Sequence, residues 1–183
     1  MFKYLTLFYL LFQNAPEVYK TTNGFVRFQS TTQSEKINAK SGALRAVIDP
    51  DSRKFAFAIK LNSFHGFNSQ LQEEHYNENY VESRQFPEAN FKGRIIESID
   101  FNQSGIYNVR AKGDFYVHGV TNHITVPAEI KIKNLKEISI KCILNINLKD
   151  YGIKIPKVVH MKLAEIIQIQ VNATLLKSTT QIE

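Results

Sequence analysis

Apolar and polar side chains alternate one by one through most of the chain beyond Gly105. In YNVRAKGDFYVHGV, Tyr107, Val109, Ala111, Gly113, Phe115 and Val117 share one parity, and Asn108, Arg110, Lys112, Asp114, Tyr116 and His118 share the other. That period of two is the signature of a half-buried antiparallel strand. HITVPAEIKIK repeats it, with Ile124, Val126, Ala128, Ile130 and Ile132 on the apolar face. The short Gly119 to Asn122 connection between the two predicts a hairpin. ISIKCILNINLK and IIQIQVNATLL carry the same pattern, and earlier strands are predicted at Gly24 to Ser30, Ala43 to Asp49, Lys54 to Asn62 and Phe91 to Phe101. The sum is an all-β chain of eight antiparallel strands. Runs of about 11 residues extend roughly 35 Å and need a second sheet or closure into a barrel to cover their apolar faces. Eight strands closed on themselves leave an interior wide enough for side chains or one slender ligand.

Helix is scarce. NSQLQEEH (Asn68 to His75) predicts one short helix, and Pro156 to Ala164 a second helical turn. Between them HYNENYVESRQFP interrupts the alternation with a polar, aromatic and acid-rich crossover. Long ordered loops in compact domains tend to be functional, and this one reads as a lid. Tyr76, Tyr80 and Phe86 are placed over a barrel mouth, with His75, Asn77 and Asn79 satisfying loop backbone groups.

Composition refines this picture in three places. The 183 residues suffice for one domain with a full core. The net charge of +6 is local: Lys131 to Lys162 holds eight lysines against two acids. Two readings follow, lysines on solvent faces of exposed edge strands or a patch facing an anionic membrane surface. Nucleic acid is not implied, since no RNP-like box, zinc-finger spacing or helix-turn-helix pattern accompanies the charge. A single cysteine, Cys142, excludes an internal disulfide or a cysteine metal cluster and shares the inward parity of Ile140 and Leu144.

The first fifteen residues carry a different signal. Lys3 precedes the apolar run Tyr4 to Phe12, too short to span a bilayer but suited to a signal-peptide core, with Ala15 ending the cleavage region. Residues 1–15 are thus expected to be a signal peptide and 16–183 the mature domain, directed to the periplasm.

No catalytic motif is present: GxSxG, HExxH, P-loop and GxGxxG are all missing. His118 and His123 flank the expected hairpin connection on the outward parity, but two imidazoles without a third ligand at a diagnostic spacing do not make a zinc site. The carboxylates Glu73, Glu74, Glu78, Glu82 and Glu88 crowd the insert as a solvated face would.

Four segments together resemble the YceI-like, polyisoprenoid-binding family. They are NGFVRFQS (23–30), SFHGFNSQLQEEHYNENYVESRQFPEANFKGRI (63–95), GDFYVHGVTNHITVPAEI (113–130) and DYGIKIP (150–156). The middle block is the most specific. The resemblance implies a lipocalin-like barrel, exported to the periplasm, that holds a long isoprenoid lipid, a quinone or polyprenyl chain, without a cofactor and without catalysis. By parity, Phe55, Phe57, Ile59, Phe91, Val109, Phe115, Val117, Val126, Ile130, Leu144, Ile146, Ile169 and Val171 point inward, and His75, Asn77 and Tyr80 are placed near the mouth. Alternation alone favours a filled core; the resemblance implies a hollow one. Two other readings stay open: a lipid-modifying enzyme using lid His and Glu residues, and a structural or stress-related interaction protein with a filled barrel. The sequence also leaves a homodimer open.

Overall fold

In the computed structural model, which describes residues 17–156 and 163–179, the eight expected strands close into one antiparallel barrel. They are β1 (Glu17–Thr31), β2 (Lys36–Ile48), β3 (Lys54–Lys60), β4 (Glu88–Ile95), β5 (Gly105–Val117), β6 (Val120–Asn134), β7 (Glu137–Asn147) and β8 (Ile166–Thr179). Each strand pairs with the next and β8 returns to β1, so the ladder has no edge. Closure corrects the edge-strand reading of the lysines: Lys131, Lys133 and Lys141 lie exposed on the outer surface of interior strands. The signal-peptide expectation, and most of the helical turn expected after Pro156, lie outside the described residues.

The far end of the barrel is shut by side chains. Tyr19, 1% exposed, stacks on Phe101 with ring centroids 5.8 Å apart and donates its hydroxyl to the Leu135 carbonyl at 3.1 Å. Phe101 reaches this position from a turn, which corrects the expected strand Phe91 to Phe101: β4 ends at Ile95.

β1 and β2 begin well before their predicted starts because bulges hide the alternation. Tyr19 and Val26 are both buried although their parities differ; a register shift between Thr21 and Gly24 reverses the facing of the strand. A second shift, between Gly24 and Val26, separates inward Ser41 from inward Leu44 on β2. Gly24 sits in the bulge, where a Cβ would lie 3.0 Å from Leu44 and 3.1 Å from Ala173.

The β5–β6 connection is also shorter than expected. Val117 pairs with Val120, leaving His118 (φ 52°) and Gly119 (φ 78°) as a two-residue turn with both central residues left-handed, the primed geometry that matches strand twist. His118 therefore does not face His123 across a four-residue loop. His123 pairs instead with Asp114 at 2.8 Å on the exposed surface, while His118 turns toward the lid.

Candidate functional site

The inward rows do not meet at the barrel axis. They leave between them an apolar cavity of about 210 Å³ to which every strand contributes. All thirteen inward positions read from the sequence, Phe55 to Val171, form part of its wall. Val26, Phe28, Leu44, Ile140 and Ile167 add to the barrel part of the lining, and Leu61, Phe64, Tyr76, Tyr80 and Val81 cover it from the lid. Aromatic rings gather on one wall: Phe55 lies 4.8 Å from Phe91 and Phe115 5.4 Å from Tyr151.

Residues 61–87 build the lid. A 3-10 turn (Leu61–Ser63) ends β3, and a bridge between Lys40 and His65, with N–H···O distances of 2.9 and 3.0 Å, fastens the chain to β2. Helix α1 (Gln70–His75) starts at Ser69, whose hydroxyl accepts from the Gln72 N–H at 3.2 Å, and runs into a single π turn (Tyr76–Tyr80). The wider turn is a frequent local distortion at functional positions. Here it rolls Tyr76 into the barrel, where its ring stacks on Phe28 at 5.4 Å and meets Phe67 at 5.1 Å and Phe64 at 6.1 Å.

Two of the three residues expected near the mouth are elsewhere. Tyr80 lines the cavity, but His75 is exposed on α1 and Asn77 is not part of the wall. The Asn77 amide donates to the Glu73 carbonyl at 3.0 Å and its oxygen accepts from the Ser83 hydroxyl at 2.8 Å, so it stiffens the lid. Tyr76, expected over the barrel mouth, belongs to the wall itself, as do Leu61, Phe64 and Val81, which sequence reasoning left out of the lining. A signal was present: Phe64, Phe67 and Tyr76 are large aromatic groups in a mostly polar insert, and such groups tend toward burial.

Two latches hold the lid. On one side Glu35, in the β1–β2 turn, accepts from the Asn68 amide at 3.2 Å and from the Gln72 amide. On the other, His118, its side chain 13% exposed, bridges three elements. Nδ1 donates to the Tyr151 carbonyl at 3.0 Å, Nε2 meets the Glu82 carboxylate at 2.8 Å, and Phe86 packs edge-on at 4.8 Å. Gly119 is required beside them, since a Cβ there would lie 2.8 Å from the Phe86 ring. Replacing His118 by Gly preserves the left-handed turn and removes the latch. Because Glu82 is partly solvated, the lid should loosen by about 1 kcal/mol, roughly a fivefold increase in opening. Faster amide exchange at Val81 and Phe86, against unchanged β-strand amides, is the measurement.

Cys142 is half-buried in the cavity wall, and burial pushes its thiol up to about 11. It should react with iodoacetamide at pH 8 about a hundredfold more slowly than a free cysteine, because thiolate is the nucleophile. The rate should climb tenfold per pH unit toward 11. A raised thiol value favours the protonated form in the folded state, so this contribution to stability is intact below the ordinary value of 9.0 and is lost as pH rises toward 11.

The acidic residues of the insert occupy separate ground. Glu73, Glu74, Glu78 and Glu82 line a polar groove on the lid, and none of them contributes to the cavity wall.

A closed up-and-down barrel, plugged at one end and lidded over an apolar cavity at the other, has the architecture of lipocalin-like binding proteins. Residues 17–175 match the YceI-like domain, and the chain belongs to that family. Solved structures agree in fold. A polyisoprenoid binding domain from Saccharophagus degradans implicated in plant cell wall breakdown superposes with a TM-score of 0.70 at 13% identity, covering 91% of this chain and 99% of that one. BcnA of Burkholderia cenocepacia gives 0.66 at 18% identity, with 85% and 96% covered. The Campylobacter jejuni YceI protein gives 0.53 at 16%, with 100% and 91% covered. No curated protein matches the chain.

Proposed function

We propose that this protein binds and carries a long isoprenoid-type lipid, a quinone or a polyprenyl chain, in the barrel cavity, as an exported periplasmic protein. The observation that carries the reading is the cavity itself: about 210 Å³ of space walled by aliphatic and aromatic side chains from all eight strands. A prenyl tail that buries about 300 Å² there gains about 7 kcal/mol from leaving water, before ordering costs. The polyisoprenoid binding domain with the same fold, and the family membership, support the ligand class. Export is supported by the character of residues 1–15.

Binding here needs no chemistry. The lid carboxylates lie outside the cavity wall, and the groups that do line it are hydrocarbon with few polar atoms. The exposed lysines on the outer surface of β6 and β7 supply a face on which the loaded protein could meet anionic headgroups, an association that salt would weaken.

Organic extraction of the purified full chain, followed by mass spectrometry, tests the proposal. A stoichiometric prenyl lipid, recovered chemically intact after incubation, is the expected result. An empty protein that also fails to take up a prenyl quinone from detergent overturns it.

A further inference from the structure

The cavity wall carries a deeply placed phenol at Tyr76. Tyr76 is 9% exposed, clamped between Phe28, Phe64 and Phe67, and belongs to the wall. Its hydroxyl makes no hydrogen bond with the described residues and is not sealed off, since no fully buried side-chain oxygen or nitrogen among them lacks a partner; the more deeply buried Tyr19 hydroxyl is satisfied by Leu135. Burial alone pushes the Tyr76 hydroxyl well above the ordinary tyrosine range, so it stays protonated and can both donate and accept. A buried tyrosine hydroxyl normally finds a partner, and an apolar site that spends one of its few polar groups without pairing it is built for a partner that arrives from outside.

The remainder of the wall says what that partner is. Among the described residues the only other lining side chains with polar atoms are Tyr80, Asn90 and Cys142; no lysine, arginine or histidine lines the cavity. An anionic head inside would be a buried charge without a counter-charge, which is far costlier than a neutral group that completes one hydrogen bond.

We propose that Tyr76 is the head-group site of the cavity: its hydroxyl binds a neutral oxygen, a carbonyl or an alcohol, at the end of a prenyl chain, and selects against a diphosphate head. This rests on the reading of the barrel as a lipid binder. The head then lies beneath the lid, and the tail runs past Phe55 and Ile130 toward the end plugged by Tyr19 and Phe101. The π turn acquires a purpose: it is the local widening that carries the hydroxyl over the barrel opening.

Four probes with one tail length separate the outcomes: farnesol, a farnesyl benzoquinone, farnesene and farnesyl diphosphate, each titrated against the wild-type chain and Tyr76→Phe. Phenylalanine conserves the ring and its packing, so thermal unfolding should stay within a few degrees. The alcohol and the quinone are expected to bind about five- to tenfold tighter than the hydrocarbon, an advantage that Tyr76→Phe removes while farnesene affinity holds. The diphosphate should bind more weakly than the alcohol. Infrared spectroscopy adds a readout that mere loss of packing would not move: the bound quinone carbonyl stretch should lie lower in the wild type than in Tyr76→Phe. If farnesene, farnesol and diphosphate bind alike, or Tyr76→Phe binds the alcohol as the wild type does, the head-group assignment fails and the lipid-binding reading survives. If none of the four binds, both fail.

Discussion

Ala128→Phe should lose retained prenyl lipid by at least about tenfold while the barrel stays folded. Ala128 is one of the small residues of the cavity wall, opposite Val109 on β5 and Cys142 on β7, and its side chain shares the inward parity of Val126 and Ile130. A phenyl ring added there projects into space of about 210 Å³ and takes up much of it. The surrounding side chains are large aliphatic and aromatic groups with little room to yield, so the tail and the new ring compete for one volume. Filling a cavity also returns lost packing, so the unfolding temperature should hold or rise by a few degrees, about 1 kcal/mol. Ile143→Ala is the control: Ile143 is on the same strand as Cys142 but 55% exposed, on the outside, and retention should not change. Lipid recovered from the Ala128→Phe protein at the wild-type level would place the binding site outside the barrel.

The inward rows were legible because parity is a property of the backbone itself: once a segment is a strand, alternate side chains must face opposite ways. Phe55, Val109, Ile130, Leu144 and Ile169 could therefore be placed without knowing the strand order. Legibility failed where one extra residue breaks the period. The bulges around Gly24 reverse the facing of β1 between Tyr19 and Val26, and inward Ser41 looks polar although it is 1% exposed and bonded to the Ser63 hydroxyl at 2.7 Å. It failed again in the lid. Whether His75 or Tyr76 turns inward depends on rings at Phe28, Phe64 and Phe67 and on one π turn, a packing decision made across the fold and invisible in local spacing. The hairpin shifted because a histidine rather than a glycine or asparagine holds the first left-handed turn position, and its partners Glu82 and Tyr151 lie more than thirty residues away on either side.

Hollow and filled barrels differ less in which residues face inward than in how closely the opposite walls can approach. In this molecule that distance is set by backbone as well as by side chains. Closing eight strands demands sharp coiling at a few places, and small residues are needed where it occurs. Phe91, facing inward, pairs with Phe115, and the next inward pair along the same two strands is Gly93 with Gly113. Large rings and a glycine pair thus follow one another on β4 and β5, with the Phe55 ring against Phe91 and the two backbones in close approach at the glycines.

Gly113→Ala should be the most damaging single-methyl change in the protein. A Cβ at Gly113 would lie 2.1 Å from the Lys92 carbonyl oxygen and 2.6 Å from the Gly93 Cα; the reciprocal distances for Gly93 are 2.1 Å from the Lys112 oxygen and 2.7 Å from the Gly113 Cα. The opposing atoms are backbone, so no rotamer change relieves the clash, and the two strands must separate where their ladder bonds run. The loss should reach about 3 kcal/mol, the upper end of overpacking costs, which for a chain of this size lowers the unfolding temperature by roughly 6–12 °C. Gly93→Ala should cost about as much, and the double variant less than the sum, because the first change already pushes the strands apart. Gly42→Ala is the matched control within the same barrel: its Cβ would meet nothing within 4 Å, and its stability should stay within about 0.5 kcal/mol of the wild type. Should Gly113→Ala melt with Gly42→Ala, the close β4–β5 approach is not what closes the barrel, and the width of the cavity must be set by its side chains alone.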